Sequence, residues 1–290
     1  MSRVALVTAR AALGTDEDLD PLLDALISRH LEPDSPCWDD QTVEWGAYDL
    51  VVLRSPWDYV PRYDEFLRWL DATAARTPVL NDPSVVRWNT DKHYLADLAA
   101  RGLPVVPTEF YEPGGDAPDL SERRGDVVVK PVISAGSKDT ARHSDPRAAE
   151  LHVRDLLERH RAVMVQPYQA GIATLGETGL VYFDGSFSHG FRKGPILERD
   201  AAPTDEFFAP EEIAAREPSA EERRVGEATI TACGGSELLY GRVDLVPGTD
   251  GHPRILEVEL AEPSYFVAYA SAAADRFAAA VERRVGGLRS

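Results

Sequence analysis

The chain has 290 residues, enough for two or three domains around sizeable cores. Its composition, 43% hydrophobic and 28% charged, is that of a soluble globular protein, and no apolar run approaches the roughly 18 residues of a membrane span. A net charge of −18 argues against a nucleic-acid partner, because neutralising phosphates needs a basic surface, and two cysteines, Cys37 and Cys233, make neither a disulfide framework nor a metal pair.

The first third alternates strand and helix. "RVALVTA" reads as a buried strand rather than a secretory signal, so a cytoplasmic location is expected. "DEDLDPLLDALISRH" carries Leu19, Leu22, Leu23, Leu26 and Ile27 on one helical stripe. "YDLVVLRSP" is a second strand, "RYDEFLRWLDATA" a second helix and "TPVLNDP" a short third strand. Such alternation implies parallel strands covered by helices, an open α/β domain over residues 1–88. In the middle, 89–166, "NTDKHYLADLAARG" reads as a helix capped by Asn89 or Thr90 and stopped by Gly102. It is followed by "VVPTEFYEP", "GDVVVKPVIS", the small polar loop "AGSKDTARHS", a helix at "PRAAELHVRDLLERH" and the strand "AVMVQPYQ". In the last part, 167–290, hairpins are expected to turn at Asp184-Gly185 and around Asp250-Gly251. Residues 203–218 read as a polar loop, and helices are expected at "SAEERRVGEATITACGG" and at the C-terminus.

Three features carry chemistry. Only four of the 31 basic residues are lysines: Lys92, Lys130, Lys138 and Lys193. A lysine here therefore marks a place that wants a point charge on a flexible stem. Lys92 falls in the first turn of its helix, where an anion is already favoured, and Lys130 closes a buried β-branched run just before the small-residue loop. The third feature is "RILEVELAEPSYF". In a strand, residues two apart share a face, so Glu257 and Glu259 point the same way, and Asp244 on the partner arm of the hairpin can meet them. Two such charges about 4 Å apart cost about 4 kcal/mol at an effective dielectric near 20. A hard divalent cation relieves that repulsion; an ordinary solvated strand face is the alternative. "LRSPWDY" ends a strand of the first domain, where open α/β sheets bind ligands. Arg54 there has the geometry to clamp a carboxylate, with Ser55, Trp57 and Tyr59 beside it, or the group is a packing cluster.

The ordered set resembles the ATP-grasp superfamily over nearly the whole chain: Asn89-Thr90-Asp91-Lys92, "VVVKP", the small-residue loop, "VQPY", "LGETGLVYFDGSFSH", "RVDLV" and "LEVELAEPS". Within it, "LRSPWDY", "RKG" and "VELAEPSYF" look like the group that includes the cyclo-ligase of the cycloserine pathway. The resemblance implies an ATP-grasp fold, α/β with α+β parts, whose two later subdomains sandwich ATP. It implies that Lys92 and Lys130 contact the ATP phosphates and that the loop with Ser134, Gly136 and Ser137 closes over them. Gln166 and Tyr168 would present backbone to adenine, and Glu177 would hold ribose. Asp244, Glu257 and Glu259 would hold Mg²⁺ or Mn²⁺, although many relatives have Asn where this chain has Glu259. Arg192, Lys193 and Arg242 would steady the transferred phosphoryl group, and Glu262 and Ser264 would face substrate.

The implied activity is ADP-forming ligation: a carboxylate is activated as an acyl phosphate and captured by an amine-type nucleophile. The leading expectation is an intramolecular cyclo-ligase closing O-ureido-serine to cycloserine. An intermolecular amino-acid or peptide ligase, a small-molecule kinase and a non-catalytic nucleotide-binding protein are the alternatives. The expected partner is a small amino-acid-like molecule rather than a membrane or nucleic acid, and a homo-oligomer is expected.

Overall fold

The structure of the protein, a computed structural model, describes residues 1–116, 118–203 and 212–288. The chain begins with β1 (Arg3–Thr8), α1 (Leu19–Ser28), β2 (Glu32–Asp34), β3 (Leu50–Ser55), α2 (Tyr63–Ala74) and β4 (Val79–Leu80). The strands pair in parallel in the order β2-β1-β3-β4. Alternation along β1 and β3 sorts their side chains to two covered faces. Val4, Leu6, Leu50 and Val52 pack on Leu22 and Leu26 of α1, while Ala5, Val7, Val51 and Leu53 pack on Phe66 and Leu70 of α2. Burial on both faces is why these strands read as near-continuous apolar runs.

The middle of the chain forms α3 (Pro83–Asn89), α4 (Tyr94–Ala100), β5 (Glu109–Tyr111), β6 (Val127–Pro131), β7 (Ala141–His143), α5 (Pro146–Glu158) and β8 (Val163–Pro167). Its sheet, β5-β8-β6-β7, is antiparallel at every pairing. Helix α5 starts at Asp145, whose carboxylate accepts the Arg147 N–H, and lays Val153 and Leu156 on Val127, Val129, Val163 and Val165.

The single helix expected across residues 89–102 is instead two short ones, α3 ending at Asn89 and α4 starting at Tyr94. Neither Asn89 nor Thr90 caps α4. Thr90 Oγ1 donates back to the Val86 carbonyl, and Asn89 spans the open edge of a distant strand. Lys92 accordingly lies in the turn before α4, with its N–H donated to the Val132 carbonyl at 3.2 Å.

The remainder comprises α6 (Ile172–Leu175), β9 (Glu177–Phe183), β10 (Ser186–Lys193), β11 (Ile213–Ala215), α7 (Ala220–Cys233), β12 (Tyr240–Pro247), β13 (Pro253–Glu259) and α8 (Ala273–Leu288). The sheet order is β11-β10-β9-β12-β13, antiparallel throughout. The β9–β10 turn is at Asp184-Gly185, both with positive φ (55° and 72°), the backbone a tight hairpin needs. Ser219 and Glu222 cap α7 reciprocally. The expected loop at 203–218 contains a short edge strand, β11, paired with Phe191–Lys193; three residues of Ile-Ala-Ala are too few to show a period. The part of that expectation at 204–211 lies outside the described residues.

Helix α8 returns across the molecule to α1. Phe277 and Val281 share one core with Val4, Leu22, Phe183 and Phe191, so the N-terminal and C-terminal sheets close over common packing. Among the described residues no helix is long and apolar enough to cross a membrane, and Cys37 and Cys233 are free.

Candidate active site

A cleft opens where the central and C-terminal sheets face each other, walled by the segment after β3. The hairpin β12–β13 sets its floor. Asp244 lies opposite Glu257 and Arg242 opposite Glu259, with a register shift after Asp244. Among the described residues the outer edge of the chain along 258–260 has no strand partner, and side chains take that role. Asn89 donates to the Val258 carbonyl (2.8 Å) and accepts from Leu260 N–H (2.6 Å), while the Tyr94 hydroxyl bonds both N–H and carbonyl of Val258 at 2.9 Å. Asn81 does the same just beyond, bonding the carbonyls of Tyr240 and Leu260 and the Leu239 N–H. Every polar group so fixed holds the acidic face of β13 toward the cleft.

Two lysines from the middle of the chain, one in the turn before α4 and one on β6, meet that face. Lys92 Nζ is 3.1 Å from Glu257 Oε1 and donates to the Ser134 carbonyl at 2.9 Å; Lys130 Nζ is 3.8 Å from Glu257 Oε2. Burial alone raises the pKa of Glu257, but the two lysines overcome it and hold the carboxyl well below its usual range. Burial lowers the pKa of Lys130 in turn. Arg242 binds Asp244 at 2.8 and 2.9 Å, reaches Glu259, and donates to the Ser264 carbonyl at 3.0 Å. Burial pushes Glu259 up, with Asp244 and Glu257 adding repulsion against Arg242. Glu177 is raised to about 7 by burial, then by Asp244 and Glu257, with Lys193 and Lys130 opposing. The cleft thus concentrates five acids and four cations within one lining.

Most residues singled out from the sequence line this cleft: Lys92, Lys130, Ser134, Gly136, Ser137, Gln166, Tyr168, Glu177, Lys193, Arg242, Asp244, Glu257, Glu259, Glu262, Ser264, Trp57 and Tyr59. The loop carrying Gly136 (φ 64°) and Ser137 (φ 60°) uses two left-handed residues in succession. It is anchored through Asp139, which takes Arg159 at 3.1 Å and Arg161 at 2.5 Å.

Four expectations change. Arg54 is not in the cleft. It is 1% exposed, bound to Asp16 (2.7 Å), Asp18 (3.0 Å) and the Pro263 carbonyl. Burial works against its charge, and the two aspartates more than restore it. Ser55 is likewise buried, hydrogen-bonded to Thr8 at 2.8 Å. Arg192 alternates with Lys193 along β10 and so faces away; its Nε donates to the Leu175 carbonyl. The Tyr168 N–H is committed to the Asp126 carbonyl at 2.9 Å, so it is not a free donor for a base, and the Tyr168 ring carries Arg142 at 3.5 Å. Asp244, Glu257 and Glu259 share a face, as expected, and each is engaged by a protein cation. Among the described residues no three such groups stand in metal-holding geometry. Their donor chemistry, carboxylate oxygens only, still fits a hard divalent cation.

Sequence reasoning missed Asp16 and Asp18. Asp18 accepts the N–H groups of Tyr265, Phe266 and Val267 at 2.6–2.9 Å while it holds Arg54, and so fixes the segment that carries Glu262 and Ser264. The backbone partners of Asp18 lie about 250 residues away in sequence and Arg54, which both aspartates hold, about 40, and no local pattern marks them. Leu256, Ile172 and Phe266 also line the cleft and read only as core in the sequence.

Comparison with known proteins agrees with this geometry. The family model described as D-cycloserine synthetase DcsG, N-terminal domain, matches residues 4–81. The cycloserine biosynthesis protein DcsG of Streptomyces lavendulae is 38% identical over 302 aligned positions, covering 98% of this chain and 99% of the relative. A crystal structure of D-cycloserine synthetase DcsG superposes with a TM-score of 0.88 at 37% identity, over 98% of this chain and 99% of that one. The D-alanine–D-alanine ligase of Bacillus anthracis, solved with ATP, shares the fold at 17% identity and a TM-score of 0.68, over 100% and 99% of the two chains. Three sheets, a cleft lined by three lysines and five carboxylates and this full-length likeness lead to one conclusion: the chain belongs to the DcsG family of ATP-grasp ligases.

Proposed function

We propose that the protein is an ATP-dependent, ADP-forming cyclo-ligase that closes O-ureido-serine to cycloserine. The observation that carries the reading is the convergence in one cleft of Lys92, Lys130, Lys193 and Arg242 on the acidic face of β12–β13, with Lys92 bridging the two sheets to Glu257. Full-length identity to a cycloserine biosynthesis protein supports the choice of product.

In this reading Lys92 and Lys130 neutralise the nucleotide phosphates, and the Ser134–Ser137 loop folds over them with its backbone N–H groups. Glu177, which has no ion pair among the described residues, accepts from ribose hydroxyls. Glu257 and Glu259, with Asp244 behind them, would hold Mg²⁺ or Mn²⁺. When bound, such an ion neutralises phosphate charge and polarises the transferred phosphoryl group. Lys193 and Arg242 hold the substrate carboxylate and the leaving phosphate in line. The carboxylate takes the γ-phosphoryl group, the oxygen-bound side-chain nitrogen then forms the ring C–N bond as inorganic phosphate leaves, and water removes the carbamoyl group from that nitrogen as carbamate, which gives carbon dioxide and ammonia. Positioning and charge supply the acceleration; the protein forms no covalent bond.

The test follows ADP and product together. ADP release with O-ureido-serine alone, accompanied by cycloserine, is expected. A stable phosphorylated product indicates a kinase, a requirement for a second amino acid indicates an intermolecular ligase, and AMP overturns the acyl-phosphate reading. Glu257→Gln is expected to weaken Mn²⁺ uptake in the presence of ADP, read by electron paramagnetic resonance, without lowering the melting temperature much.

A further inference from the structure

Among the five cleft acids, Asp244, Glu257 and Glu259 each have a protein cation as ion-pair partner. Glu177 and Glu262 have none among the described residues. Glu177 opens toward Lys130 and Lys193. Glu262 is on the opposite wall. Its backbone carbonyl takes the Trp57 indole N–H at 2.9 Å, and the polar side chain that acts on it most is the Tyr59 phenol. Trp57 and Tyr59, 6% and 1% exposed, line the cleft there. Two residues further on, the Ser264 carbonyl is bound by Arg242. A carboxylate flanked by aromatic rings is the chemistry that recognises an ammonium group, and it stands beside the guanidinium that faces the substrate carboxylate.

We propose that Glu262, walled by Trp57 and Tyr59, binds the α-ammonium of the amino-acid substrate and thereby sets its specificity. This rests on the cyclo-ligase reading above and adds a substrate contact to it. An α-amino acid carries its amine one carbon from its carboxylate, so anchoring both ends fixes Cα beside Arg242. The side-chain nitrogen is then the group free to reach the activated carbonyl carbon. The contact has a second consequence. An opposite charge favours the protonated amine, and an ammonium has no lone pair with which to attack the acyl phosphate. The side-chain nitrogen closes a five-membered ring, whereas the α-amine could close only a strained three-membered one, so protonating it guards the acyl phosphate against the amine of a second substrate molecule.

The experiment compares two substrates on two enzymes: O-ureido-serine and its desamino analogue, 3-(ureidooxy)propanoate, with wild type and Glu262→Gln. The readout is kcat/KM from ADP release. Wild type is expected to favour the amine-bearing substrate about 10- to 100-fold, the scale of one charge-assisted hydrogen bond. Glu262→Gln is expected to lose most of that preference while changing little on the desamino analogue, and Glu262→Asp to regain part of it. A wild type indifferent to the amine overturns the proposal whatever the variants do, and so does a Glu262→Gln enzyme equally impaired on both substrates. A wild type that makes no cycloserine counts instead against the cyclo-ligase reading. Melting temperature and Mg-ATP affinity of each variant show that the fold and nucleotide site are intact.

Discussion

Two buried arginines are built alike and are put to different uses. Arg54 and Arg242 are 1% and 4% exposed, each held by two carboxylates, and each donates to a neighbouring carbonyl of the same segment, Arg54 to Pro263 and Arg242 to Ser264. Arg54 sits at the end of a parallel strand, sealed under Tyr265, whose ring is 4.6 Å from the guanidinium. Arg242 sits mid-strand in an antiparallel sheet whose face opens to the cleft. The first triad locks the N-terminal sheet to the segment; the second presents the segment to ligand. The difference lies in which side of the triad water and substrate reach.

That contrast can be broken in order of expected effect. Arg54→Ala leaves Asp16 and Asp18 buried without their counter-charge and should destabilise the protein by about 3–5 kcal/mol, read by urea unfolding. An Arg54→Ala protein as stable as wild type would show that the sealed triad does not hold the segment. Arg242→Gln should lower kcat by about 10²–10³-fold, the scale of one lost transition-state charge contact, with a smaller stability loss than Arg54→Ala. Equal stability losses for the two would erase the distinction between them. On β10, Lys193→Ala is expected to cost about 10²-fold in kcat/KM, consistent with loss of one charged contact to a phosphate or carboxylate. Arg192→Ala, one residue away but on the other face, should leave kcat/KM within about twofold of wild type, since surface changes act weakly. Reversal of those last two results would place the wrong face of β10 in the cleft.

Much of the site was legible in the sequence where chemistry and local period agree. Scarce lysines marked Lys92, Lys130 and Lys193, and all three line the cleft. The two-residue period of β13 set Glu257 and Glu259 on one face, and the hairpin turn placed Asp244 opposite Glu257. The illegible part was long-range. Asn89 is a good cap residue by type, yet its amide closes the edge of a strand about 170 residues later. Arg54 and Arg192 each looked like a ligand-binding arginine, because sequence gives a side chain's charge but not which wall it meets.

The sequence by itself therefore determined the alternation of strand and helix, the hairpins and the acidic face of β13, since these follow from period and turn chemistry within a few residues. Tertiary structure alone decided which carboxylates have protein cations as partners. Glu257 takes its cation, Lys92, from a part of the chain about 165 residues earlier, so that pair depends on how the sheets pack, whereas Arg242 reaches Asp244 and Glu259 within one sheet; among the described residues Glu177 and Glu262 have no ion-pair partner.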